Sequence, residues 1–204
     1  LARRTFVAKT LFAPRSSYAS AHVWHATSLV IRRRFDEAVA EVEHARDLDP
    51  LSPITQTQVG WIRAYAGRTE EAIVQFQRVL TTDPSYPWAL WRLGAAYADV
   101  GKYREAIEIL EKGVVLSKNN SAFLGELGRA YAESRRRAEA RRILARLRLM
   151  SKARYVTPAA QTYICLGLGD RDCYFQALEE GYRQRINHMA FLSVTLLPRR
   201  YGAF

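Results

Sequence analysis

The residues able to do chemistry by themselves are few: four histidines, His22, His25, His44 and His188, and two cysteines, Cys165 and Cys173. A zinc or iron site needs such ligands in short, fixed spacings such as HExxH or paired CxxC, and none occurs. His22 and His25 fall on adjacent faces of one helix and read as packed or surface side chains. The cysteines, with seven residues between them and no second pair, read as reduced, packed thiols. The Gly-rich turns that cradle phosphates (GxxxxGK[ST], GxGxxG) and the GxSxG elbow that presents a nucleophilic serine are also missing. Acidic pairs such as Asp36-Glu37, Glu70-Glu71 and Glu179-Glu180 read as turn and outer-helix positions, explained by charge complementarity at helix starts. The expectation is a non-enzyme with no metal and no cofactor.

What remains is chemistry of recognition, in four tryptophans and a surplus of arginine. Lys and Arg number 31 against 20 Asp and Glu, a net charge of +11, and Arg outnumbers Lys by 26 to 5. Ten basic and three acidic residues between 121 and 154 give that segment +7 of the total. With 49% apolar residues the chain can bury a core, which excludes a disordered or collagen-like chain. The longest apolar stretch, Ala190 to Leu197, is too short to span a bilayer. No targeting pattern follows Leu1, so the chain reads as cytoplasmic and as a processed protein or fragment.

The elements that position these residues are set by a repeat. Ala38, Ala72, Ala106 and Ala140 stand 34 apart, as do Ala26, Gly60, Gly94 and Gly128, and Val59, Leu93 and Leu127. Asp49-Pro50 and Asp83-Pro84 close two units at the same interval. Within one unit Leu90, Leu93, Gly94 and Tyr97 follow helical spacing, Val100-Gly101-Lys102 breaks it, and Ala106, Ile107, Leu110 and Val114 resume it. Small residues at a helix crossing let two backbones approach, and Pro at a unit boundary ends one helix and starts the next. The product is a stack of helical hairpins.

With Trp91-Arg-Leu-Gly-Ala-Ala-Tyr97, Gly101-Lys-Tyr-Arg-Glu-Ala-Ile107 and Asp83-Pro84 in its middle unit, the sequence resembles the tetratricopeptide repeat (TPR) family. The resemblance implies an all-α, right-handed superhelical solenoid. Residues 18–154 divide into four repeats, about 19–52, 53–86, 87–120 and 121–154. Residues 1–17 read as the end of a preceding truncated repeat, and 155–185 as a divergent fifth hairpin whose usual Ala position holds Tyr174. Residues 186–204 read as a capping helix or tail. Tyr155-Val-Thr-Pro158 and the Leu168-Gly-Asp turn are similar to bacterial TPR regions attached to winged-helix regulators, cyclases or kinases. By that likeness an output module precedes Leu1, and a regulatory or sensing role stands as the alternative function.

In the family's geometry the first helix of each hairpin lines a concave groove. The groove positions hold Trp24, Trp61, Trp88 and Trp91, with Tyr65, Arg92, Arg129, Asp99 and Glu133. Trp24 and Trp88 suit filling a gap against the next repeat as well as they suit the groove, whereas Trp61 and Trp91 read as groove-exposed. Arg92 and Arg129 could pair with a partner's carboxylate or stack on its aromatic side chains. Family members that grip a terminal carboxylate use Lys and Asn in these slots. Val23, Thr27, Thr57, Trp61, Trp91 and Ala95 stand there instead, so an apolar segment fits better. On the convex side Arg137, Arg141, Arg148 and Lys152 form one stripe, flanked by Arg135, Arg142 and Arg146. The stripe reads as a solvated face or as a seat for an acidic protein surface. Nucleic acid is disfavoured, because the aromatic residues lie on the other face. Binding of a partner protein in the groove, or packing within a larger assembly, is the expected function.

Overall fold

The computed structural model describes residues 15–185, so the expectations for 1–14 and 186–204 lie outside the described residues. Ten α-helices and no strand occur among them. They pair as α1 (Arg15–Ile31) with α2 (Phe35–Leu48), α3 (Pro53–Tyr65) with α4 (Thr69–Thr82), and α5 (Pro87–Asp99) with α6 (Tyr103–Leu116). Next come α7 (Ser121–Glu133) with α8 (Arg137–Met150), and α9 (Pro158–Leu168) with α10 (Arg171–Arg183). Arg15 to Ser17, expected to end a preceding unit, already belong to α1. No helix among the described residues is long and apolar enough to cross a membrane.

One capping device recurs in every hairpin. At the end of each odd-numbered helix a residue takes positive φ: Arg33, Gly67, Gly101, Arg135 and Gly169, each 34 after the last. The following amide then donates back to the carbonyl five residues earlier: Arg34 to Leu29, Arg68 to Arg63, Lys102 to Tyr97, Arg136 to Tyr131 and Asp170 to Cys165, all within 2.8–3.0 Å. This is the Schellman arrangement, which satisfies carbonyls the helix leaves open and turns the chain into the next helix. The even-numbered helices accordingly begin at 35, 69, 103, 137 and 171.

Each odd-numbered helix packs against its own partner and against its equivalents in the neighbouring hairpins. The repeated small residues sit where that packing is tightest. A Cβ on Gly60 would lie 2.5 Å from the Phe76 ring, and one on Gly94 2.5 Å from Leu110 Cγ. Ala38, Ala72, Ala106 and Ala140 are fully buried. Two apolar clusters result, one centred on the first three hairpins and one running from α5 to α10.

The fifth hairpin departs from the pattern in two ways. Helix α9 begins at Pro158, three residues later than the period puts it, while α10 returns to register. In α10 the inward positions are Cys173, Ala177 and Gly181, and Tyr174 packs at the edge of the core. Over its first turns the buried positions stand one residue before their α8 counterparts, Cys173 and Ala177 instead of 174 and 178, while Gly181 keeps the register of Leu147. Cys173 is thereby brought against Cys165 with their Cα atoms 5.5 Å apart, and the two are joined as a disulfide. The expectation of reduced thiols is corrected by this offset at the start of α10, which sequence spacing does not reveal.

Candidate functional site

Because the period is 34, side chains at equivalent positions of α3, α5, α7 and α9 form columns down the concave face. One column is Trp61, Ala95, Arg129 and Tyr163, and a second is Tyr65, Asp99, Glu133 and Gly167. Arg92 and Glu126 belong to a third. A cavity of about 90 Å³ opens among Trp61, Tyr65, Arg92, Asp99, Glu126 and Tyr163, with Ala64, Phe76, Ala95, Ala96 and Arg129 completing its wall. It exists where Ala95 interrupts a column of large side chains.

At the mouth Arg92 lies over aromatic rings on several sides. Its Cζ stands 4.1 Å from the Trp91 ring centroid, 4.9 Å from Trp61 and 5.9 Å from Trp88. Trp88 and Trp91 meet edge to face at 5.5 Å, and Trp61 meets Tyr65 the same way at 5.2 Å. The Arg92 side chain makes no hydrogen bond or ion pair among the described residues. Burial lowers its pKa, and the acidic groups facing it, Tyr65, Tyr163, Glu126 and Asp99, oppose that by charge. A guanidinium held against indole rings by cation–π attraction keeps its donors available.

Arg129 is the opposite case. Its side chain is 4% exposed. Nε donates to Glu126 at 2.7 Å, Nη1 to Asp99 at 2.8 Å and to Glu133 at 3.3 Å, and Nη2 to the carbonyl of Ala95 at 3.3 Å. Burial would lower its pKa, but Glu126, Asp99 and Glu133 overcome that and hold it well above the ordinary value. One cation among three carboxylates leaves Glu126 under-compensated, and burial raises its pKa despite Arg129. The expectation that Arg129 offers its guanidinium to a partner is corrected: it ties α5 to α7 and forms the inner wall. Burial also lifts Tyr65 above its usual pKa, and Tyr163 well above it.

The tryptophans are placed differently from expectation. Trp61, read as groove-exposed, is 9% exposed, and Trp91 is half-buried with its Nε1 lacking a hydrogen-bond partner. Both are covered by Arg92. Trp88, at 55%, forms the outer lip, and Trp24, at 74%, stands on α1 away from the cavity. Glu126 and Tyr163 are wall residues that sequence reasoning misses. The period does carry a signal for Tyr163, which stands 34 after Arg129.

Among the convex arginines, Arg137 donates from Nη2 to the carbonyl of Leu168 at 2.7 Å, and Arg148 from Nη2 to Cys173 Sγ at 3.3 Å. Arg141, Arg142 and Lys152 are exposed. His22 and His25 both pair with Glu41 of α2, at 2.6 and 3.3 Å, and His22 meets His44 edge to face. No three His, Cys, Asp or Glu side chains converge as metal ligands among the described residues.

Comparison with known proteins gives consistent matches. A family model described as TPR repeat matches residues 60–101, and one described as tetratricopeptide repeat matches residues 99–155. A thermophilic TPR protein of Thermus thermophilus, TTC0263, superposes with a TM-score of 0.68 at 18% identity, over 90% of this chain and 97% of that one. The Sgt2 TPR domain from Aspergillus fumigatus gives 0.52 at 25% identity, over 61% and 82%. The first TPR of Spaghetti (RPAP3), solved bound to the HSP90 peptide SRMEEVD, gives 0.50 at 23% identity, over 56% and 91%. No curated protein matches the sequence.

Proposed function

We propose that this chain, a tetratricopeptide repeat protein, holds a segment of a partner protein in its concave groove, with Arg92 and the tryptophans around it as the anchor. The observation that carries this reading is the guanidinium of Arg92, stacked over Trp61, Trp88 and Trp91 beside a cavity of about 90 Å³, with no ion pair or hydrogen bond of its own among the described residues. A partly desolvated cation without a partner is costly to maintain, and oxygen atoms of a bound segment complete it. The cavity takes one side chain of modest size, and Trp88 supplies exposed apolar area at the lip.

A peptide-bound relative makes the mode concrete, since the RPAP3 domain was solved with an acidic HSP90 peptide. In this chain the partly exposed Trp91 and Ala95 occupy groove slots, which supports an apolar segment whose carbonyl or carboxylate oxygens reach Arg92. The groove is preorganised by the Arg129 network, so little ordering entropy opposes binding on this side.

The test is capture of the partner from nuclease-treated native lysate, followed by titration of the captured segment against wild type and Trp91→Ala. The substitution removes the ring closest to Arg92. Affinity is expected to fall by at least about 1 kcal/mol, roughly fivefold, with far-UV circular dichroism unchanged. Equal affinity for the two proteins defeats the reading.

A further inference from the structure

On the face away from the groove, α8 and the α9–α10 turn enclose an open cleft of about 450 Å³. Arg141, Arg148 and Lys152 of α8 and its C-terminal end form one side of it, and Leu144, Ala145 and Leu149 of the same helix form its floor with Leu168. The side chains of Arg141 and Lys152 are exposed and make no hydrogen bond or ion pair among the described residues. Arg142 and Arg146 extend the same charge beyond the cleft. Opposing acids are few. The Asp170 carboxylate at the edge already accepts the Cys173 amide at 3.0 Å, and Glu139 is paired with Arg136. Leu149 is 68% exposed in the midst of this charge.

We infer that this cleft is a second docking site, separate from the groove, for an acidic segment of a partner protein that carries apolar side chains between its carboxylates. Charge complementarity sets the sign of the partner, and the floor sets its class. None of the residues lining the cleft is aromatic, so there is no platform on which a nucleic-acid base could stack. An apolar floor under a row of cations matches a polypeptide that alternates carboxylates with leucine-like groups, and a bare phosphate backbone leaves that floor unfilled. The spacing is also defined. Arg141 to Arg148 rises about 10 Å along α8 and Arg148 to Lys152 about 6 Å. A helical partner meets it with carboxylates about seven and four residues apart, and an extended one with about three and two.

The whole chain is titrated, by fluorescence anisotropy, with a labelled peptide of about 14 residues carrying Glu at the helical spacing and Leu between. Its Gln-for-Glu counterpart, poly(U) RNA and phosphatidylserine vesicles serve as comparison probes. The acidic peptide is expected to bind, and Arg141→Glu/Lys152→Glu to weaken it at least about tenfold. Neither side chain holds a contact whose loss would unfold α8, and circular dichroism checks this. Leu149→Ser is expected to weaken the peptide about threefold or more, Trp91→Ala to leave it unchanged, and the Gln peptide to bind poorly. The inference is overturned if the charge-reversed protein binds the acidic peptide like wild type. It is overturned equally if RNA or vesicles bind more tightly than the peptide, or if Leu149→Ser has no effect, because a site reading charge alone then replaces it.

Discussion

Replacing Arg129 by Met is the sharpest perturbation of the groove's inner wall. The side chain is 4% exposed, and its acidic partners Glu126 and Glu133 are 8% and 3% exposed, with Asp99 at 24%. Methionine keeps much of the volume but leaves three carboxylates without their cation, two of them buried. Breaking a buried pair in this way costs about 3–5 kcal/mol, a large share of the roughly 5–15 kcal/mol that holds a domain together. With a urea dependence of about 2 kcal/mol per molar, the midpoint falls by about 1.5–2.5 M. The readout is urea unfolding followed by both tryptophan fluorescence and circular dichroism, since a solenoid need not unfold in one step. The sign with pH is a second check. In the variant Glu126 loses the cation that opposes the effect of its burial, so its penalty is present at neutral pH and is relieved as pH falls toward the ordinary carboxylate range. Glu126, already raised by burial in the wild type, shows a smaller effect in the same direction. The deficit of the variant therefore narrows between pH 7 and about pH 4.5, and Glu126→Gln in the same chain recovers part of it. A loss below about 1 kcal/mol, or one that does not change with pH, refutes the account.

The repeat packing makes further predictions. Arg135 adopts a φ of 65° at the position that Gly67, Gly101 and Gly169 fill in other hairpins, so Arg135→Gly is expected to stabilise the chain by about 1 kcal/mol, and no rise in urea midpoint would count against the strain. A Cβ on Gly125 would stand 2.6 Å from the backbone Cα of Ala160, whereas one on Gly94 meets Leu110 side-chain atoms that can rotate away. Gly125→Ala is therefore expected to cost more than Gly94→Ala, toward the upper part of the roughly 1–3 kcal/mol range, with faster amide exchange in α9 and α10. Equal losses in both would show that the α7–α9 contact is not the rigid one.

How far the structure is legible in the sequence follows from which interactions repeat. Alanine and glycine recur every 34 residues because each hairpin has the same close crossing, and the fold class is readable from them. The caps are only half readable, since Gly67, Gly101 and Gly169 advertise a positive φ while Arg33 and Arg135 take it without the residue type that signals it. The fifth hairpin misleads at its cysteines because Cys173, and not Tyr174 at the repeated Ala position, is buried at the start of α10, an offset with no trace in the spacing. In the groove, Glu126 and Glu133 at three before and four after Arg129 are a helix-local signal for an internal ion pair. The bond to Asp99 is not, since it crosses between repeats. Two arginines that look alike in the sequence thus take opposite parts. Arg129 lies where carboxylates from α5 and α7 converge and becomes part of the wall, while Arg92 lies where tryptophans from α3 and α5 converge and keeps its donors for something else. What a groove offers a partner is set by which of its charged groups the neighbouring repeat leaves unanswered, and that depends on columns formed across helices.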